Sequence, residues 1–391
     1  MKLLVIGCGQ CGGRIADEFA RLNRRARAQR GIDIITNALA INTDIADLTG
    51  LSFIRPDYQH RILIGGRKTG GHGVGKINEL GAEVAREDAD KVVDTIRTAK
   101  RLAEIDAFLL IAGAAGGTGS GAVPVLTQQI KERFVDKPVY TLVVLPFEHE
   151  EQTEERTVYN AATCLKSTYL VSDAIIMVDN QRYVKKESSI QSNLSQINSL
   201  IVEPFYNLLC AGEEIKPKYI GAKVLDAGDI IQTLSGWTVI GYSTSRLSFF
   251  RSLFRWTSDF RKKVSETQKG IQAMDEAMSS LSVRCNPADS RRDLYLVSAP
   301  AKEMNVDLLK EVGIHLKTMA PDAIIRSGDY PRDRGYLDVS LILSELSDLA
   351  KVRHYFTKTI SLMSTIKKRQ EGIESIQIEL EGTLKDIPSL L

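Results

Sequence analysis

What this sequence lacks narrows its chemistry before any motif does. Cysteine is scarce: Cys8, Cys11, Cys164, Cys210 and Cys285 form an odd, scattered set, which excludes a disulfide framework and fits a reducing cytoplasm. The histidines His60, His72, His149, His315 and His354 are equally dispersed. The one Cys-x-x-Cys spacing, Cys8 to Cys11, therefore has no second ligand pair to complete a four-coordinate zinc site. We read it as two small residues in a tight turn and assign no metal ligand. No apolar run approaches the ~18 residues of a bilayer-spanning helix. The opening run "MKLLVIG" is too short for a signal-peptide core and breaks into glycines, so it is expected to be a buried first strand. An excess of one charge is missing too. The 51 basic residues face 49 acidic ones without a long single-sign run, so no nucleic-acid partner is expected. There are only 11 prolines, no internal repeat and no low-complexity tract. The expectation is a folded cytoplasmic protein.

What is present points to more than one domain. The 391 residues, 43% of them hydrophobic and 26% charged, exceed the ~250–300 residues that one hydrophobic core usually serves. In the first half, short β-rich runs ("KLLVIG", "DIITNALAINTD", "RILIG", "AFLLIAG", "VYTLVVLP", "DAIIMVDN") alternate with helical stretches such as "GRIADEFARLNRRARA" and "AVPVLTQQIKERF". Such alternation predicts a parallel sheet covered on both faces, the usual frame of a nucleotide-binding domain. A long, mostly helical segment follows, containing "SIQSNLSQINSLIVEPFYNLLCAG", and then the polar loop "EEIKPKYIGAKVLDAGD". Beyond it, a charged helical region separates "WTVIGYS" from "DLYLVSAP", "DAIIRSGDY", "YLDVSLILSEL" and "SIQIELEG", which alternate as strands do. The expected fold class is α/β, with a parallel-sheet domain over residues 1–182, a central helix and acidic loop over 183–235, and a smaller α+β domain over 236–391.

Three glycine-rich loops in the first half carry the chemistry. "GCGQCG" (Gly7 to Gly12) satisfies G-x-G-x-x-G between a strand and a helix, but a dinucleotide fold wants an acid ~20 residues on, and Asp44 comes much later. "GGRKTGGHGVGKI" nearly matches a P-loop, yet Ile77 stands where the magnesium-binding hydroxyl belongs. The third, "AAGGTGSGA" (Ala114 to Ala122), follows a strand and opens a helix, so its N–H groups and the helix dipole favour an anion. Three such loops at the carboxyl ends of parallel strands would surround a polyphosphate with neutral donors.

These residues carry a resemblance. "GGTGSG" resembles the signature of the tubulin and FtsZ superfamily of polymerising GTPases, and "GQCGGRI" is similar to the first loop of tubulin. "INTD" resembles the second loop, "GGHGVGK" the third and "VLPFEHEEQTEER" the ribose-reaching loop, while "VDNQRY" and "INSLI" resemble the two guanine-reading segments. The resemblance implies nucleotide contacts from Gly9, Gln10, Cys11, Gly12 and Arg14, from Asn42 and Asp44, from Gly70, Gly71 and Gly73, and from Gly116, Gly117, Thr118, Gly119, Ser120 and Gly121. It further implies ribose contacts from Glu151, with Glu150 and Gln152 as alternatives, and from Arg156. Guanine contacts would come from Asn180 and Asn198, with Asn193 as a rival for the helix position. An amide suits guanine because it can accept from N1–H and N2–H₂ and donate to O6.

In "VLDAGDII" the resemblance places Asp226 and Asp229 on the two acid positions of FtsZ's catalytic loop, which acts on the nucleotide of the neighbouring subunit. Two carboxylates three apart at a helix start can orient a water, or simply cap the helix. Val224 stands where FtsZ carries an asparagine, and no FtsZ-type tail is expected after "IELEGTLKDIPSLL". The tubulin-like first loop and the Asp-Ala-Gly-Asp loop together look most like the archaeal CetZ group. The implied function is a cytoplasmic cytoskeletal GTPase that polymerises longitudinally with itself, binds GTP and GDP with Mg²⁺ held mainly through phosphate and water, and serves cell shape. An FtsZ-type division protein and an assembly regulator with little hydrolysis are the alternatives. The segment 246–263, with Phe249, Phe250, Phe254 and Trp256 among Arg246, Arg251 and Arg255, is a candidate membrane-surface or lateral contact.

Overall fold

The computed structural model describes residues 1–184, 190–247 and 259–363. The segment 248–258 and the strand expected from "SIQIELEG" lie outside the described residues, as does most of the candidate contact segment.

The first half alternates as its periodicities demand. Strand β1 (Leu3–Cys8) leads into α1 (Gly9–Arg30), β2 (Ile35–Asn42), the short α2 (Ile45–Thr49), β3 (Arg61–Leu63) and the short α3 (Gly66–Thr69). Then come α4 (Asn78–Glu87), α5 (Ala89–Arg97), β4 (Ala107–Gly113), α6 (Thr118–Arg133), β5 (Val139–Leu145), α7 (Glu148–Thr153), α8 (Glu155–Val171) and β6 (Ala174–Asp179). The expected long helix is α9 (Ile190–Ala211), followed by α10 (Ala227–Thr233). The second half supplies β7 (Gly236–Arg246), α11 (Asp259–Ser279), β8 (Arg292–Ser298), α12 (Val306–Met319), β9 (Ile324–Asp329) and β10 (Tyr336–Ser344).

The ten strands of the described residues form one sheet in the order β3-β2-β1-β4-β5-β6-β7-β10-β8-β9. From β3 to β7 every neighbour pairs in parallel, whereas β10 runs antiparallel to both β7 and β8. The α+β half therefore continues the sheet of the first half. Strand β7 makes the join, pairing with β6 through Gly236 to Thr238 and with β10 through Val239 to Arg246.

Parallel strands buried on both faces need a core on each. Along β1, Leu4, Ile6 and Cys8 pack against α4, α5, α6 and α8, while Leu3 and Val5 pack against α1 and α9. Helices α11 and α12 extend the first layer over β8 and β10. No helix among the described residues is long and apolar enough to cross a membrane.

Candidate functional site

The carboxyl ends of β1, β4, β5 and β6 open into a cleft of about 840 Å³, within the range of small-ligand sites and at the edge where parallel sheets bind them. Its floor is two helix N-termini. Neither Cys8 at the start of α1 nor Gly117 at the start of α6 supplies a side-chain cap, and neither helix has an acid in its first turn. Their first N–H groups are thus free of intrahelical partners and carry positive dipole ends into the cleft. Such close approach depends on glycine. Gly9 has φ +70°, and a Cβ there would lie 2.8 Å from the Gly119 nitrogen. A Cβ on Gly117 would lie 2.6 Å from Val74 Cγ2 and 2.9 Å from the Lys76 Cα.

The expected residues separate into those the cleft gathers and those it does not. Gly9, Gln10, Cys11 and Arg14 line it, as do Asn42, Asp44 and Gly73. So do Gly116, Gly117, Thr118 and Gly119. Asn42 Oδ1 accepts from the Thr43 nitrogen (2.8 Å), and Asp44 Oδ1 caps α2 by accepting from the Ala46 nitrogen (2.8 Å). Thr118 is buried with its hydroxyl 2.6 Å from that of Thr43. On the far wall stand Asn180 from the β6 exit and both Asn193 and Asn198 from α9, so the two rival asparagines of that helix both reach the cleft.

Gly12, Ser120 and Gly121 lie beneath the lining. A Cβ on Gly12 would meet the Ile111 carbonyl at 2.1 Å and one on Gly121 the Asn78 carbonyl at 2.1 Å; Ser120 Oγ donates to the Gly116 carbonyl. Gly70 and Gly71 shape the turn behind Gly73 with φ +61° and +83°. Two expected ribose contacts point elsewhere. Glu151 is buried and accepts from the Tyr355 hydroxyl with Lys351 Nζ 3.3 Å away, while Glu148, His149, Glu150 and Gln152 take the cleft wall. Arg156 turns to pair with Glu79 of α4. The register of the helical turns decides this, and an unbroken run of polar residues from Glu148 to Arg156 gave no period to reveal it.

Sequence reasoning missed Asp47 and the apolar wall. Asp47 accepts from Gln10 Nε2 (2.6 Å) and Asn42 Nδ2 (3.1 Å). Phe147, Val184, Leu194 and Ile197 give the cleft a flat apolar side beside the asparagines; the helical spacing of Asn193, Leu194, Ile197 and Asn198 was the available signal. Burial pushes the thiols of Cys8 and Cys11 up to about 12, so both stay protonated at neutral pH.

Asp226 and Asp229 lie at the other end of the molecule. They cap α10 reciprocally, Asp226 Oδ1 accepting from the Asp229 nitrogen (2.9 Å) and Asp229 Oδ2 from the Asp226 nitrogen (3.5 Å). Asp226 is exposed, and Arg326 Nε stands 3.7 Å from Asp229. Ile230 of α10 and Leu234 just after it pack with Met1 and Leu3, at the start of β1, whereas the cleft begins beyond its end at Cys8. At ~3.3 Å per residue, the strand alone sets the acids about 20 Å from the cleft floor.

Comparison with known proteins adds to this geometry. A family model described as "Tubulin/FtsZ family, GTPase domain" matches residues 2–186, and one described as "Tubulin-like CetZ, C-terminal domain" matches residues 187–361. The tubulin-like protein CetZ1 of Haloferax volcanii is 34% identical over 346 residues, covering 85% of this chain and 84% of its own. The structure of that CetZ1 as a GDP-bound monomer superposes with TM-score 0.80 at 29% identity, over 93% of this chain and 100% of the other. The protofilament structure of CetZ2 from the same organism, bound to GTPγS, has the same fold at TM-score 0.80 and 24% identity, covering 94% of this chain and all of the other.

Proposed function

Because the chain belongs to the tubulin/FtsZ family of GTPases, and within it to the CetZ group, we propose that its cleft binds GTP and GDP and that it assembles head to tail into filaments serving cell shape. In this reading it hydrolyses GTP at the contact between subunits. The observation that carries the hydrolysis is the separation of the two half-sites: the cleft opens at one end of the sheet, and exposed Asp226 with half-buried Asp229 stands at the other. A single subunit cannot bring Asp226 or Asp229 to its own nucleotide; the next subunit in a row can.

The neutral floor of N–H groups suits a phosphate chain, and the apolar wall with Asn180, Asn193 and Asn198 suits guanine. Magnesium would be held mainly through phosphate oxygens and water. The donor set fits that role, since Asp47 and one oxygen of Asp44 already accept hydrogen bonds from the protein. The GDP and GTPγS bound to the two CetZ neighbours support the ligand class, and the CetZ2 protofilament supports the assembly.

A second reading, a regulator that assembles with little hydrolysis, draws on the capping box. Asp226 and Asp229 satisfy each other's backbone, and Val224, 44% exposed, offers no polar group beside them. Phosphate release measured over a protein concentration series separates the two. Trans hydrolysis makes the specific rate rise through a threshold, and Asp229→Asn, which keeps an acceptor for the cap, slows it ~10²–10⁴-fold with GTP binding intact. Mixing that variant with Gly117→Val, which presents acids but binds no nucleotide, restores hydrolysis in mixed polymers. A specific rate independent of concentration, with no restoration on mixing, rejects the trans reading.

A further inference from the structure

The two loops that floor the cleft come from distant parts of the sequence, and the residue that joins them lies in neither. Asn160, on the inner face of α8, is fully buried. The two hydrogens of its Nδ2 are shared among three backbone carbonyls: Lys76 (2.9 Å), Ala115 (3.0 Å) and Gly116 (3.1 Å). Lys76 belongs to the loop before α4; Ala115 and Gly116 belong to the loop before α6. Asn160 Oδ1 has no hydrogen-bond partner among the described residues, so this side chain serves the loops as a donor alone. The amide orientation is set by chemistry, since the reverse would face an acceptor with three acceptors.

Because a trans peptide directs each carbonyl opposite the following N–H, turning the Ala115 and Gly116 carbonyls inward to Asn160 turns the Gly116 and Gly117 N–H groups outward. Ala115, Gly116 and Gly117 all line the cleft. The third bond holds the carbonyl of Lys76, a non-glycine residue at φ +62° that also faces the cleft. Helix α8 and the residue before it grip the same region elsewhere, through Thr163 with Asn78 Nδ2 (2.7 Å) and through the ion pairs Glu154–Lys76 and Arg156–Glu79. Both ion pairs are partly exposed and contribute little.

We propose that Asn160 is a positioning residue that fixes the spacing of the two phosphate loops and aims their N–H groups at the phosphate chain of the bound nucleotide. The proposal rests on the reading of the cleft as a guanine-nucleotide site. Its signature is a dependence on phosphate number. Asn160 acts on the phosphate floor, its donor bonds going to Lys76, Ala115 and Gly116, so its loss weakens each ligand according to the phosphates it carries.

The experiment is a competition titration against a fluorescent GDP analogue with guanosine, GMP, GDP and GTP, on the wild type and on Asn160→Asp. The isosteric carboxylate faces the three carbonyls with an acceptor. We expect GDP and GTP to weaken at least 10-fold and guanosine less than 2-fold, with GMP between. Asn160→Ser, which keeps one donor on a shorter arm, serves if Asn160→Asp does not fold, and should give a smaller loss in the same order. Equal losses for guanosine and GTP, or undiminished GTP affinity in a folded variant, would overturn the proposal. A wild type that binds none of the four ligands overturns the cleft reading and the proposal with it; a wild type that binds them while the variants show no gradient overturns the proposal alone.

Discussion

Asp293 is fully buried at the start of β8, and neither of its carboxyl oxygens has a hydrogen-bond partner among the described residues. The nearby Ser290 hydroxyl donates to the Pro287 carbonyl instead. Burial pushes the Asp293 carboxyl up to about 7, while Ser290 and then Lys317 draw it back down. The sign of the consequence follows from proton counting. Between about pH 4 and pH 7 the unfolded chain has released a proton that the folded chain keeps, so stability falls as pH rises through that window and levels off above it. Asp293→Asn, which buries no charge, should raise stability at pH 8 by about 1–4 kcal/mol and flatten the slope between pH 4 and 7. Urea titrations of both proteins at pH 5 and pH 8 measure it; an equal shift at the two values rejects the assignment. The alternation of "DLYLVSAP" places Asp293 on the same side as Tyr295 and Val297, and so inside, but a strand pattern gives no hint of what meets the carboxyl there. The cleft residues were more legible. A glycine-rich turn between strand and helix is marked by its neighbours in sequence, and Gly9, Gly117 and Gly119 line the cleft. Asn160, which depends on three carbonyls from two other segments, carries no such mark.

At the scale of elements, α7 shows where sequence reading ran out. The strand-helix alternation was legible because each element buries a periodic face, and the parallel order followed from it. Helix α7 is six residues of mostly polar character, EHEEQT, and which of them face the cleft is decided by contacts from elsewhere. The helical residues 350–363 make those contacts. Tyr355 donates to Glu151, Lys351 Nζ stands 3.3 Å from Glu151 and 3.9 Å from Asp179, and His354 Nε2 lies 4.0 Å from Glu151. Burial raises the Asp179 carboxyl while Lys351 draws it back down. Asp179 also accepts from the Gln181 nitrogen, shaping the turn that carries Asn180. Two walls of the cleft are thus fastened to one late helix. Tyr355→Phe removes the neutral donor and leaves Glu151 buried against Lys351, which should cost about 1–3 kcal/mol of stability. Chemical denaturation reads that loss, and an unchanged midpoint would show that Lys351 alone satisfies the carboxylate.

For the molecule as a whole, what the sequence could not convey was relative position. The motifs identify loops and acids, and the resemblance implied that the acids serve a neighbour's nucleotide, but the spacing of the residues does not place them; α10 beside Met1 and Leu3 sets them at the opposite end of the sheet. Nor did the two-domain pattern reveal that the halves share a sheet, because a strand paired with different neighbours along its length reads like any other. That shared strand has a mechanical meaning. β7 meets β6 across three residue pairs and β10 across eight, so the seam between the halves is short while each side is broadly laced. Openings that part the protein there break few backbone bonds, and those that dismantle either half break many. Amides of Trp237 and Thr238 should exchange with deuterium faster than those of Val239 to Tyr242, although all belong to one continuous strand. Uniform protection along β7 would show that the sheet opens only as a unit. A gradient would mean that this protein yields like a perforated page, along a line drawn by its own hydrogen bonds.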